Sequence, residues 1–360
     1  MRIAAVAVSL ALVSLPAEGG DRHPRAEDTV RVDCGRNQSI NRALERHPQV
    51  ENLTVEIEGI CTENVVITRD RVTLRGADPS TDGIRAASDA TQIDAAVWIR
   101  GAHQVTLENL KLTGGYAGLL ATEVSTLWAR AVNCRFEGNR AYGALLETAL
   151  LQVEDGVLTD NGSVNAGVFQ ASRLECRRCT LSNPLLTGPI LTRNNVLALA
   201  GSTAILIEST LTEGGLNLSN AVATITDSTI EARLPGPGIA LPLQSLDSNV
   251  TLTRSEVAGA LSILQGSTVR LFGVVQTRSD GGNVADDDSF VRVADASPAA
   301  GGPPSIPSSI MGLTLRNFSN ASLLQTSQLT TVSCSLGSNA FCANPANVSG
   351  SSTCALCPVP

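Results

Sequence analysis

Residues 105–115, VTLENLKLTGG, return with changed letters at 205–215 as ILIESTLTEGG and at 250–260 as VTLTRSEVAGA. Strand starts on this pattern fall at Val72, Val105, Ala129, Leu151, Leu174, Ile205, Ala223, Val250 and Val269, spaced 18 to 33 residues apart. A period in the low twenties with variable insertions is the mark of a solenoid of short strands. Two residues after each start stand Leu74, Leu107, Ala131, Val153, Cys176, Ile207, Ile225, Leu252 and Leu271, an apolar or small column. Four residues after come Asn109, Asn133, Asp155, Arg178, Ser209, Asp227 and Arg254, several of them types that tolerate a left-handed bend. A second turn follows at Gly114-Gly115, Gly138-Asn139, Asp160-Asn161, Asn183-Pro184 and Gly214-Gly215, and a third strand opens on Gly118, Gly143, Gly167, Gly215, Gly238 or Gly259.

Three short strands and three bends per unit predict an all-β parallel β-helix of about 9–11 coils over residues 30–280. Equivalent side chains then pile up at about 4.8 Å per coil. Thr210, Ser228 and Ser255 interrupt one apolar column and are expected to bond inward to each other or to backbone, unless misaligned and facing water. Composition agrees: charged residues are 17%, aromatics 3%, and 31 Gly and 16 Pro suit tight turns.

The open ends of such a coil need covers. NQSINRALERHP places Ile40, Ala43, Leu44 and His47 on one face of a helix over 38–47, with Asn37 or Ser39 as cap and Pro48 after it. Residues 281–309, with DGGNVADDDS and SPAAGGPPSIPSS, read as loop or linker, and 310–360 as a possible last coil with a Cys-rich cap. Residues 1–20, MRIAAVAVSLALVSLPAEGG, read as a secretory signal peptide, so a secreted or cell-surface protein is expected. No later segment is apolar for long enough to span a bilayer.

Nine cysteines fit an oxidising compartment. Cys34 and Cys61 flank the first helix as one disulfide candidate pair, and Cys334, Cys342, Cys354 and Cys357 crowd the tail as further candidates. Zinc is the rival reading for CALC and for CRRC at 176–179, but all three His lie before residue 104. Cys176 and Cys179 are either two small core residues or a bridge across a bend, while Cys134 lies two coils from Cys179, too far to bond. The net charge of −8, with Lys111 the single lysine, leaves no basic track for nucleic acid.

Residues 39–84, with ENVVI at Glu63–Ile67 and VTLRGA at Val72–Ala77, resemble the start of right-handed parallel β-helix proteins of the pectin-lyase-like superfamily. The resemblance implies right-handed coiling and, through that family, polysaccharide as partner. It stops short of an active site. The context that pectin methylesterases give their Arg-Pro-Trp is missing around Trp98 and Trp128, Lys111 is in no polygalacturonase Arg-x-Lys, and RLPGP at Arg233 reads as a turn and not as a pectate-lyase arginine.

Candidate residues remain on the third strand: Glu123, Glu147, Gln170 and Arg193 in consecutive coils, with Glu123 and Glu147 either an acid/base pair or solvated strand-end glutamates. Tyr116 and Tyr142 offer either a sugar-stacking patch or turn packing. Asp286-Asp287-Asp288 is either a calcium site or a solvated bend, and the bend is favoured. The eight Asn-x-Ser/Thr sequons at Asn37, Asn52, Asn161, Asn217, Asn249, Asn317, Asn320 and Asn347 follow from composition. No catalytic motif, metal or cofactor is implied. The expected function is a scaffold or polysaccharide-binding rod; the alternative is a lyase or glycoside hydrolase with a non-standard site built from residues 76–97 or 183–204.

Overall fold

The structure is a computed structural model that describes residues 27–87, 94–123, 129–183, 194–232, 241–278, 282–296, 308–317, 319–323, 328–329, 332–335 and 338–342. The chain winds through three parallel sheets in turn, of 14, 12 and 12 described strands, each strand but those at the sheet ends bonded to its equivalents one coil before and after. This is the parallel β-helix that the repeat and the resemblance implied.

The first sheet carries the repeated phrase. Val55, Leu74, Leu107, Ala131, Val153, Cys176, Leu206, Ile225, Leu252, Leu271, Val293 and Leu323 stand in one register row. Each is at most 4% exposed. One member corrects the expected column: Leu206, not Ile207, pairs with Cys176 and Ile225. Side chains alternate faces along a strand, so starting that coil at Ile205 instead of Ala204 turned the set outward. The same slip explains the hydroxyl column. Ser209, Ser228 and Ser255 point in, while Thr210 is exposed. Cys179 N donates to Ser209 Oγ at 3.1 Å, Ser209 N to Ser228 Oγ at 3.0 Å and Ser228 N to Ser255 Oγ at 3.3 Å, which satisfies the buried hydroxyls.

The bend after this sheet places Asn109, Asn133, Asp155, Arg178, Glu208, Asp227 and Arg254 at φ between 47° and 54°. Asn tolerates that conformation because its side chain bonds locally, but Arg does not. Ion pairs along the column offset the strain: Arg178 Nε donates to Asp155 at 2.7 Å and Arg254 Nε to Asp227 at 2.7 Å, one coil back. Arg178 donates also to Glu154 at 2.5 Å, and Arg130 to Glu154 at 2.6 Å. Hydrogen bonds from Arg178 hold the Asp155 carboxyl below its ordinary pKa, and those from Arg130 and then Arg178 do the same for Glu154.

At the second bend a buried amide ladder replaces the serines. Asn139 Nδ2 donates to Asn161 Oδ1 at 2.9 Å, Asn161 Nδ2 to Asn165 Oδ1 at 2.8 Å and Asn165 Nδ2 to Asn195 Oδ1 at 2.8 Å. The ladder needs glycine beside it. A Cβ on Gly118 would meet Asn139 Nδ2 at 2.8 Å, and one on Gly143 would meet Asn161 Nδ2 at 2.7 Å. The third strands therefore register as Gly118, Gly143 and Asn165 in the interval between Ala117↔Tyr142↔Val164 and Leu119↔Ala144↔Ala166. Gly167 pairs with Leu145, so the expected alignment of Gly167 with Gly143 was two residues off.

The helix runs Ile40–Arg46, with Ser39 as its N-cap accepting from Arg42 N, and buries Ile40, Ala43 and Leu44 in the continuous core. The Glu63 carboxylate, from the neighbouring coil, accepts from Ile40 N at 2.7 Å and Ser39 Oγ at 2.9 Å. Asn41 lies along the outermost described strand of the third sheet, Val65–Ile67: its Oδ1 accepts from Val66 N at 3.1 Å and its Nδ2 donates to Asn64 O at 2.8 Å. One side-chain amide thus stands in for a missing neighbouring peptide on an edge that would otherwise pair with another chain. Cys34 and Cys61 form a disulfide, and Cys334 is also disulfide-bonded. The side chains of Cys342, Cys354 and Cys357, like residues 1–20, lie outside the described part.

Part of the segment expected as linker, 281–309, is coil. Asn283–Ala285 pairs with Leu261–Leu264 in the third sheet, and Phe290–Ala294 with Thr268–Phe272 in the first. The Gly and Asp content masked a three-residue strand and an alternating FVRVA, whose burial runs exposed, buried, exposed, buried, buried. Between them Asp287 and Asp288 adopt φ of 51° and 57°, the bend reading of the acidic run.

Candidate functional site

A second, separate apolar cluster forms outside the core, on the outer face of the third sheet. Ala95, Ala117, Leu120 and Leu145 are buried there, with Trp98, Tyr116, Tyr142 and Phe169 packed half-buried against them. The strands concerned are Ala95–Arg100, Ala117–Thr122, Tyr142–Glu147 and Val164–Phe169. Register sets two outward rows. Trp98, Leu120, Leu145 and Gly167 form one, and Arg100, Thr122, Glu147 and Phe169 the other.

Both tyrosines of the chain, one of its two tryptophans and one of its six phenylalanines meet here. Tyr116 and Tyr142 lie edge to face with centroids 5.6 Å apart, and Tyr142 and Phe169 at 6.1 Å, the geometry that ring quadrupoles favour. Gly167 makes room: a Cβ on it would sit 2.9 Å from the Tyr142 ring. The Trp98 indole donates to Thr122 Oγ1 at 3.0 Å, and the Arg100 guanidinium lies 5.6 Å from the Trp98 ring centroid, within cation–π range. Burial, then the neighbouring Tyr116 and the charge of Glu147, pushes the Tyr142 phenol above its ordinary pKa, so it stays neutral and able to donate near neutral pH.

An ion pair between a buried aspartate and an exposed arginine closes one margin. Asp94, its side chain 3% exposed, accepts from Tyr116 N at 2.9 Å and from Arg140 Nη2 at 2.5 Å and Nη1 at 3.4 Å. Arg140 reaches back 46 residues in sequence to make that fork, which locks the start of the Ala95–Arg100 strand to the two coils that follow.

Of the sequence candidates, the structure brings Tyr116, Tyr142 and Glu147 together. Glu123 lies beside Glu147 but one residue out of register: it occupies the next bend at φ 59° and its N donates to Glu147 O at 3.3 Å, whereas Glu147 pairs with Thr122 and Phe169. Gln170 is likewise a bend residue, at φ 55°, and Arg193 lies outside the described residues. Glu123 and Glu147 stand one residue out of register because the two coils differ by one residue between their glycine and their glutamate, and Glu123 is an exposed strand-end glutamate. Phe169, Asp94 and Arg140 carry no sequence signal of a site, and Trp98 enters the sequence reading only for its lack of a methylesterase context. Aligning VWIR at 97–100 with LLAT at 119–122 would have found Trp98, but that coil carries no leading glycine to flag it. Among the described residues no cluster of three or more His, Cys, Asp or Glu is arranged to hold a metal ion.

No family profile and no curated protein matches the sequence. Solved structures similar in fold include full-length tailspike protein 2 from Escherichia coli O157:H7 bacteriophage CAB120, at 10% identity and TM-score 0.43 over 85% of this chain. The match spans 42% of the tailspike's length. The catalytic unit of a thermostable GH87 alpha-1,3-glucanase from Streptomyces thermodiastaticus strain HF3-3 is 11% identical, covering 90% of this chain and 67% of that one at TM-score 0.45. DFA-IIIase from Arthrobacter chlorophenolicus A6 is 10% identical, covering 83% and 86% at TM-score 0.46. Such identities and scores say nothing of this chain's chemistry. The class its own strands define is the parallel β-helix protein.

Proposed function

We propose that the protein is a secreted or cell-surface β-helix rod that binds polysaccharide through the outer face of its third sheet, with the helix Ile40–Arg46 covering its first coil. The supporting observation is the aromatic cluster: a chain with 3% aromatics concentrates Trp98, Tyr116, Tyr142 and Phe169 on one outward surface, separate from the continuous core. Ring faces take up the apolar C–H faces of sugars, while Arg100, Glu147 and the phenols bond hydroxyl or carboxylate groups. Affinity electrophoresis against a panel of neutral and uronic-acid polysaccharides tests this. Retardation by at least one polymer is expected, weakened about tenfold, or ~1.4 kcal/mol, in Trp98→Ala and Tyr142→Ala. Retention unchanged in both variants, with far-UV dichroism intact, refutes the assignment of the face; no retention by any polymer refutes the function.

One observation favours the alternative of a lyase or hydrolase. The segments 76–97 and 183–204 both lead into strands of this same sheet, Ala95–Arg100 and Asn194–Leu199. Unsaturated products or new reducing ends released from the panel, and lost in Glu147→Gln, would establish it in place of simple binding.

A further inference from the structure

The bend between the first and second sheets has the same layout in successive coils: an inward residue, an outward one, a left-handed one and a second inward one. The two inward positions are Leu107 and Leu110, Ala131 and Cys134, Val153 and Gly156, Cys176 and Cys179, Leu206 and Ser209, Ile225 and Ser228. Only one of these coils places cysteine at both. Cys176 and Cys179 are wholly buried thiols. The Cys179 Sγ approaches Val153 O at 3.5 Å, and Val153 is the register partner of Cys176, so the sulfur leans back over the row in which Cys176 stands. Cys134 leans in the same way, 3.4 Å from Leu107 O, but its partner position holds Ala131 and it has no thiol to meet.

We infer that Cys176 and Cys179 are a site of disulfide formation, joined across the bend by exchange with a small-molecule disulfide such as oxidised glutathione, and that Cys134 remains a thiol. The spacing allows it, because two residues at a tight bend bring the flanking Cα atoms within the range a disulfide spans, while Cys134 sits two coils, roughly 9.6 Å, from Cys179. The hydrogen bond with Cys179 and burial both raise the Cys176 thiol well above its ordinary pKa, and burial pushes Cys134 up to about 12. In the folded chain Cys176 and Cys179 are both buried away from a dissolved oxidant, so oxidation belongs to the folding chain. The thiolate of one cysteine attacks the oxidant's S–S bond and releases one small thiol. The second thiolate then attacks the resulting mixed disulfide, forming the Sγ–Sγ bond and releasing the other. Two protons and two electrons leave the pair and reduce the oxidant to two thiols. The site is independent of the polysaccharide reading.

Peptide mapping tests it. The reduced, denatured protein is refolded in a glutathione redox buffer, denatured without reductant, blocked with iodoacetamide and digested with trypsin, which cleaves after Arg177 and Arg178. The expected result is peptide 174–177 linked to peptide 179–193, with Cys134 carbamidomethylated. Recovery of both peptides separate and alkylated, in a digest where Cys34 and Cys61 have rejoined, overturns the inference. A bridge from Cys134 to either cysteine overturns it as well.

Discussion

Whether Leu206 or Ile207 faces the core is a difference of one residue that decides the register of a whole coil, and a pair of substitutions reads it directly. Leu206 is fully buried between Cys176 and Ile225. Its neighbours along the axis are held at the strand spacing by backbone hydrogen bonds on both sides, so the hole left by Leu206→Ala closes little. Leu→Ala changes in cores span about 2–5 kcal/mol, with the larger values where the site cannot collapse. About 3–5 kcal/mol is expected here. Ile207 stands on the outer row beside Arg177 and Thr226, partly exposed, and Ile207→Ala is expected to destabilise by about 1 kcal/mol or less. Urea unfolding followed by far-UV dichroism measures both, read as a shift in midpoint at unchanged slope. If Ile207→Ala proves the more damaging of the two, the register row through residues 176, 206 and 225 is wrong.

Two contrasts extend this reasoning. Ser245 lies in the third-sheet inner row between Leu218 and Ile263, fully buried, and its hydroxyl finds no hydrogen-bond partner among the described residues. Ser245→Ala should raise stability by about 1 kcal/mol, whereas Ser228→Ala, which removes a hydroxyl bonded to Ser209 N and Thr226 O, should lower it by about 1–2 kcal/mol, both read from thermal melts. The acid limb of stability is sensitive to Arg178. Because Asp155 and Glu154 have folded pKa values below their unfolded ones, their contribution is complete above the unfolded value near 4 and fades as pH falls through the folded value. Arg178→Gln should therefore narrow the gap in melting temperature between neutral and strongly acidic buffer, and an unchanged gap would show that the bend-column pairs contribute nothing measurable.

The sequence by itself determined the repeat, and with it the architecture. Parallel coils force like side chains into rows, so Leu74, Leu107, Val153, Leu252 and Leu271 announce their common row through spacing alone. Bends were legible wherever Asn or Asp marks a left-handed residue. Glu208, which carries no such preference, is where the alignment slipped by one. Tertiary structure decided what spacing cannot: that Asn165 takes a glycine's place because an amide ladder runs beside it, that Phe290–Ala294 pairs into the first sheet despite its acidic surroundings, and that Trp98 and Phe169, more than seventy residues apart, join the Tyr116 and Tyr142 pair on one surface. Outward positions in a solenoid answer to no core, so their residue types follow no column that a linear period would reveal. Only the winding of one coil on the next brings their side chains within reach of each other.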